Sequence, residues 1–227
     1  MEIKIENKEG ITLLTKDKYC DENINIRVDK SLFDQDHTIE DGLITRTLTH
    51  YYNDRVESIG ARVFQNYDTE IEMEFPNVTS TGLNCFYGSK GIKKLVLPKL
   101  VTVGGNSFYQ MTALKVLSLP LVETITSGTC RYSTGFEVVY IPKVTKLTTA
   151  TFADCTNLKT LIIGSNVTMD NVNAIIRTEI ESGTGYIYVP DTDVESYKGK
   201  TNFTTYADQI KGWSEIPNDI KEELEIW

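Results

Sequence analysis

Glu70, Glu72 and Glu74 form a dense acidic cluster within one strand-like stretch of this chain. Paired carboxylates are the tools of glycan hydrolysis. Glu72 and Glu74 would share one face of a strand, roughly 7 Å apart, which is inside the spacing such chemistry needs. The two histidines are His37 and His50. His37-Thr-Ile-Glu40 is not the H-E-x-x-H pattern of zinc proteases. Asp34, Asp36 and His37 offer cation ligands, but a solvated acidic linker accounts for them. Asp191-Thr-Asp193-Val-Glu195 is reminiscent of a calcium loop, yet it lacks the glycine and the distant glutamate. A capping box with Thr192 as the cap and Glu195 three residues on explains it better. Cys20, Cys85, Cys130 and Cys155 show no C-x-x-C spacing, which argues against zinc, and we expect reduced, mostly buried thiols. No G-x-S-x-G is present, and no phosphate loop follows Gly104-Gly105. The expectation is a non-enzyme with no catalytic residues, no metal and no cofactor.

The elements that must position any site come from a repeat. Between Arg55 and Gly164 a block of 22 residues recurs five times. A short repeat implies a solenoid in which each coil buries its apolar face on the next. Such architectures present surfaces more often than they enclose chemistry. Within each coil, position 2 is Val56, Val78, Leu100, Val122 or Val144, and position 10 is Phe64, Phe86, Phe108, Cys130 or Phe152. Positions 19 and 21 pair Met73 with Phe75, Leu95 with Leu97, Leu117 with Leu119, Val139 with Ile141, and Leu161 with Ile163. Two apolar residues two apart point to one side of a short strand. Proline then ends four of the strands, since it has no N–H to donate. Around position 10 a stretch rich in Gly, Asn and Ser predicts a helical turn or an irregular connection. Glu70 breaks the apolar position 16 in the first coil, where an end coil faces no further repeat.

Positions 18 and 20 face outward. Lys94, Val96, Val116, Ser118, Val138, Tyr140 and Ile162 form a strip there that is unusually apolar for an exposed face. Such a strip marks an interface, although β-branched residues also suit strands for their own sake. These seven residues are the candidate partner-binding face.

The flanks differ from the repeats. Residues 1–42 read as a small β module and linker, with strands in MEIKIE and INIRVD flanking ITLLT. Residues 43–190 form the solenoid, with 43–49 as a capping strand, 51–54 as a turn and 185–190 as a sixth rung. Residues 191–227 read as a helical cap and an acidic tail. Phe203, Tyr206 and Ile210 are spaced to line one helical face. Ile220, Leu224 and Trp227 fall on one stripe of a short helix that is marginal alone. The stripe either docks on a subunit partner, packs back on its own cap, or frays.

The frame L-x-x-L-x-L-P followed by V-x-x-I-x-x-x-x-F, clearest at Leu114–Pro120 and Leu158–Ile163, resembles the BspA-like leucine-rich repeat. That resemblance implies a mainly β solenoid with short helices and a C-terminal cap, and a role in adhesion or protein interaction. Residues 10–29 resemble a short module of phage tail and baseplate proteins. The matching residues are Gly10, Ile11, Thr12, Leu13, Thr15, Lys18, Tyr19, Cys20, Asp21, Ile24, Ile26 and Val28. Together the two resemblances imply a virion structural protein of a phage of a Gram-positive host. A capsid or tail decoration protein and a bacterial surface adhesin are the alternatives. The implied partners are other virion proteins, further copies of the chain (a homo-oligomer such as a trimer), and a host cell-surface protein or glycan.

Net charge is −9 and the pI is about 4.8. An acidic surface disfavours nucleic acid, whose binding depends on neutralising phosphates. No apolar run is long enough to cross a membrane, so no membrane insertion is expected. MEIKIENKEG lacks the apolar core of a secretory signal. The expected location is the virion, with assembly in the host cytoplasm.

Overall fold

The computed structural model describes residues 2–6, 12–17, 38–40, 43–45 and 49–226, the first four stretches as backbone only. Strand β1 (Glu2–Glu6) pairs antiparallel with β2 (Thr12–Asp17), and β3 (Thr38–Glu40) with β4 (Leu43–Thr45). The strand expected at INIRVD and Cys20 lie outside the described residues.

The strand that abuts the first coil is not the one expected. β4 pairs with β3, whereas β5 (His50–Tyr52) runs parallel to the strand of the first coil, with Tyr51 opposite Met73. The expected turn at 51–54 is therefore partly strand. The cause is Tyr51, which is buried and whose ring lies 5.5 Å from that of Phe75. Its phenol also accepts a hydrogen bond from Asn53 Nδ2 at 3.0 Å.

Short strands follow along two edges: β6 (Ser58–Ile59), β7 (Ile71–Glu74), β8 (Ser80–Thr81), β9 (Ile92–Val96), β10 (Val116–Ser118), β11 (Val138–Ile141), β12 (Lys146–Leu147), β13 (Thr160–Ile163), β14 (Thr168–Met169), β15 (Tyr186–Val189) and β16 (Ile210–Gly212). The long edge has two parallel parts, β5-β7-β9 and β10-β11-β13-β15-β16. On the short edge β6 pairs with β8, and β12 with β14. Val116 sits opposite Val138, and Val138 opposite Thr160, so like positions stack. The inward pairs from Met73/Phe75 to Leu161/Ile163 are all buried. Glu70 is excluded from the core by a one-residue slip. Ile71 takes the inward place opposite Ile92, the register shifts between Ile71 and Glu72, and Glu70 turns out to pair with Lys93.

The turn between the two edges has its own backbone ladder. The Phe64 N–H donates to the Cys85 carbonyl at 2.8 Å, Phe86 to Ser107 at 3.0 Å, Phe108 to Thr129 at 3.1 Å and Cys130 to Thr151 at 3.2 Å. Two residues per coil are left-handed. At position 8 they are Arg62, Asn84, Asn106, Gly128 and Ala150, and at position 12 they are Asn66, Gly88, Gln110, Tyr132 and Asp154, with φ between 54° and 73°. Asn and Gly tolerate that region best, and this explains the composition of the stretch. Inside the turn, the rings of Phe64 and Phe86 stack at 5.4 Å and those of Phe86 and Phe108 at 5.8 Å. Cys130 continues the column as a small buried group. At position 13, Ser89, Ser133 and Cys155 donate back to the carbonyls of Phe64, Phe108 and Cys130. Cys155 thus does a serine's work. Cys85, Cys130 and Cys155 are buried free thiols.

Beyond β13 the frame loosens. A single 3-10 turn, Val172–Ile175, is capped by the Asn171 side chain. Tyr197 is buried, and its hydroxyl donates to the Gly164 carbonyl at 2.6 Å while accepting from the Val167 N–H at 2.7 Å. It sits in α1 (Val194–Lys198), which stops at Gly199. The expected capping box does not form. A 3-10 turn at Asp191–Asp193 leads directly into α1, and Thr192 Oγ1 points to the Asp193 carboxylate instead. The expected helical face of Phe203, Tyr206 and Ile210 is also corrected. Tyr206 leaves helical geometry (φ −112°, ψ 21°), and Ile210 lies in β16, paired with Ile187 as one more rung. A 3-10 turn followed by a strand buries the same three residues that the helix spacing suggested.

Close approach of the coils makes Gly104 irreplaceable. A Cβ there would lie 2.2 Å from the carbonyl carbon and oxygen of Gly82. Gly104→Ala is expected to destabilise the protein by about 2 kcal/mol or more, since backbone rather than a side chain must yield. Urea unfolding should show a lower midpoint with an unchanged m-value.

Candidate interaction surface

The outward residues of the long edge form two rows. One runs His50, Glu72, Lys94 and then, in frame, Val116, Val138, Thr160 and Tyr186. The other runs Tyr52, Glu74, Val96 and then Ser118, Tyr140, Ile162 and Tyr188. The two halves of this face differ in chemistry.

The N-terminal half is charged and open. His50 Nδ1 lies 3.8 Å from Glu72, and Lys94 Nζ lies 3.2 Å from Glu74. Glu70 and Glu74 therefore each sit against a lysine, and Glu72 lies beside the His50 imidazole, so the cluster does not present a bare carboxylate pair. Exposed ion pairs contribute little to stability, and these give this half of the face a pattern of alternating charge. Tyr52 is 41% exposed at the edge of this half.

The C-terminal half is covered by the chain itself. Val138, Ile162 and Tyr188 are buried in a cluster with Ile216 and Ile220, flanked by Val116, Tyr140, Tyr186, Trp213 and Leu224. Ile220 and its neighbours belong to α2 (Asn218–Glu223). The Trp213 indole N–H donates to the Ile163 carbonyl at 3.2 Å, which anchors the start of the tail. Lys211 Nζ stands 3.8 Å over the Tyr186 ring and closes the edge.

This corrects part of the sequence expectation. Val138 and Ile162, expected to bind a partner, are buried, and the occupant is the tail stripe, which packs back on its own chain, one of the three outcomes left open for it. Ile220 docks with Ile216, and Leu224 packs beside them. Trp227 lies outside the described residues. The physical reason is proximity: a tethered apolar stripe reaches its own strand face at high effective concentration, and that packing supports a helix too short to persist alone. Of the remaining candidates, Lys94 is exposed, Val96 and Ser118 are half-buried, and Val116 and Tyr140 are half-buried against the tail.

Charged and aromatic groups also collect on the turn. Tyr87, Tyr109 and Tyr132 follow one another there, and Asp154 bridges Arg131 (3.1 Å) and Arg177. Sequence reasoning missed this group because its members occupy positions 11 and 12 rather than one column. The only usable signal was the aromatic at position 11 in two successive coils, Tyr87 and Tyr109. The two guanidinium groups hold the Asp154 carboxyl below its usual range, the Arg177 hydrogen bond being the largest cause. Beside the strand face, Glu137 is likewise lowered by Lys159 at 2.6 Å and Lys115 at 2.9 Å. Burial pushes the Cys155 thiol up to about 12 and that of Cys130 well above its normal value, so both lack thiolate character.

Among the described residues no group of three or more His, Cys, Asp or Glu side chains is placed to hold a metal ion. No helix among them is long and apolar enough to cross a membrane. The family described as BspA type leucine rich repeat region matches the chain in six copies, over residues 47–159 and 122–197. The chain belongs to this family. Its parallel strands and few short helices are those of a mainly β repeat fold. The BspA-type repeat points to a role in protein interaction or adhesion. No curated protein matches the chain.

Two outcomes follow from the geometry. Replacing Ile220 with Asp should release the tail, lower the stability by about 2–4 kcal/mol through loss of buried apolar contact and burial of a charge, and expose Val138 and Ile162 to a hydrophobic dye such as ANS. Asp154→Asn should act on the acid side. A carboxylate lowered on folding contributes stability that is present above its unfolded pKa, about 4, and lost as pH falls through the folded value. The stability gap between wild type and Asp154→Asn should thus be widest near neutrality and close below about pH 4 in denaturant titrations.

Proposed function

We propose that this BspA-type repeat protein is a non-enzymatic virion structural protein, associated with a phage tail or baseplate, that presents its repeat face to another protein. The observation that carries the interaction role is the division of the strand face. Its C-terminal half is covered by the chain's own tail, whereas Tyr52, Glu72, Lys94, Val96 and Ser118 remain open or half-open beside it. An open face with alternating charges beside an apolar middle favours a protein partner, since charge complementarity fixes register and apolar contact supplies affinity. The virion assignment rests on the likeness of residues 10–29 to a tail and baseplate module. The partner under this reading is another virion protein or a second copy of the chain, and a host-surface receptor is the further possibility that tail-tip placement would raise.

The test is localisation on particles purified from a lysate that encodes the chain, by negative-stain imaging with an antibody against residues 55–190. Label at the tail tip or baseplate is expected. Label over the capsid or along the tube would make it a decoration protein, and unlabelled particles would overturn the virion reading in favour of the bacterial adhesin. The double variant Lys94→Glu, Val96→Asp should fold normally but be lost from the particles, because it inverts the charge and breaks the apolar middle of the open face.

A further inference from the structure

We propose that the turn edge of the coils carries a glycan-binding site built on Tyr87, Tyr109 and Tyr132 with Arg131, Asp154 and Arg177. The site is separate from the strand face and does not depend on its assignment.

Tyr87 and Tyr109 stack with ring centroids 4.8 Å apart and planes within 3°. Tyr132 meets Tyr109 edge-on at 5.5 Å, and the Arg131 guanidinium lies 4.5 Å over the Tyr132 ring. Asp154 then joins Arg131 to Arg177. The group spans five successive coils, four steps of about 4.8 Å or roughly 19 Å, along the turn. A line of that length suits an extended polymer rather than a compact small molecule.

Packing accounts for the stacked pair but not for Tyr132. Position 12 is left-handed in every coil, and its other occupants are Asn66, Gly88, Gln110 and Asp154. Tyr132 holds φ at 60° and is 36% exposed. A bulky aromatic in that conformation is strained, and it is not repaid by burial. Strain of this kind, kept at an exposed ring beside two others, is what a binding function leaves behind.

The chemistry favours a neutral sugar chain. The two guanidinium groups are offset by Asp154, which joins them, and by Glu181, whose carboxylate is held near Arg177 by accepting from the Arg177 backbone N–H at 2.6 Å. A charged ligand therefore finds no net complement. The turn N–H groups of Asn66, Gly88, Gln110, Tyr132 and Asp154 already donate to the next coil, so no open backbone edge invites a peptide strand. The three phenol hydroxyls carry no hydrogen bond to protein among the described residues. What remains are the outward ring edges and phenol hydroxyls, with planar guanidinium groups beside them, because Tyr87 and Tyr109 turn their facing sides to each other and Arg131 covers one side of Tyr132. Phenol hydroxyls and guanidinium N–H groups complement the hydroxyls of a pyranose chain.

The experiment uses the full chain labelled with 3-fluorotyrosine, titrated with hexamers of N-acetylglucosamine, glucose and mannose and followed by fluorine NMR and calorimetry. Saturable binding of at least one hexamer is expected, with shifts confined to the ladder tyrosines. Tyr109→Ala and Tyr132→Asn should each weaken it by on the order of tenfold or more. Tyr132→Asn relieves the left-handed strain, so its Tm should not fall, which separates lost binding from lost folding. Lys94→Glu on the strand face should leave sugar binding unchanged. Absence of saturable binding by all three hexamers overturns the proposal, as does binding that survives Tyr132→Asn. Shifts of the same tyrosines produced only by an extended proline-rich peptide would overturn it in favour of a protein ligand.

Discussion

Each coil passes its turn N–H groups to the carbonyls of the next, from Phe64 to Cys85, Phe86 to Ser107 and Phe108 to Thr129. Buried backbone groups must be paired, so this ladder allows little variation in the distance between coils. The rest of the molecule inherits that distance. Phenylalanines stack because their backbones are already spaced for it. Gly104 must be glycine because the neighbouring backbone stands where a side chain would begin. Ser133 and Cys155 can both serve position 13 because each has one hydrogen to donate to a carbonyl at a set reach.

A repeat that stacks by hydrogen bonding has two unfinished ends, and exposed strand edges invite unwanted pairing. At the first coil the edge is extended by β5, whose Tyr51 fills the core beside Phe75. At the other end β16 adds a rung without repeat character, and the chain then turns back over the outer face. The same segment finishes the stack and shields apolar residues on the strands. This divides the face into a covered half and an open one, with β9 and β10 near the border.

The two faces of the coils present different side chains for a geometric reason. On the strand edge, alternation sends every second side chain outward, so a broad surface of mixed character is available to a protein. On the turn, Tyr87, Tyr109 and Arg131 are half-buried and Tyr132 is exposed. These groups line up in a narrow track of tyrosines and guanidinium groups. A broad face and a narrow track select different kinds of partner.

The core was legible in the sequence because strand alternation has a period of two and identical positions recur along the repeat. Residues such as Leu117, Leu119, Val139 and Ile141 are buried as that pattern requires. The slip at Glu70 was visible as a broken position, but its remedy, Ile71 moving inward, appeared only in the register of β7 against β9. The outward strip and the apolar stripe of the tail were each legible, and their mutual contact was not. Contact between segments far apart in sequence depends on where the chain returns in space, which no local pattern encodes. The tyrosine track escaped for the same reason, since Tyr109 and Tyr132 hold different positions in their coils and meet only across the turn. The sequence by itself determined the repeat, its buried columns and its outward strip, because these follow from local periodicity. The tertiary structure alone decided which part of the strip stays open and which surface groups converge, because both depend on long-range packing of the chain's own end and on the backbone geometry of the turn.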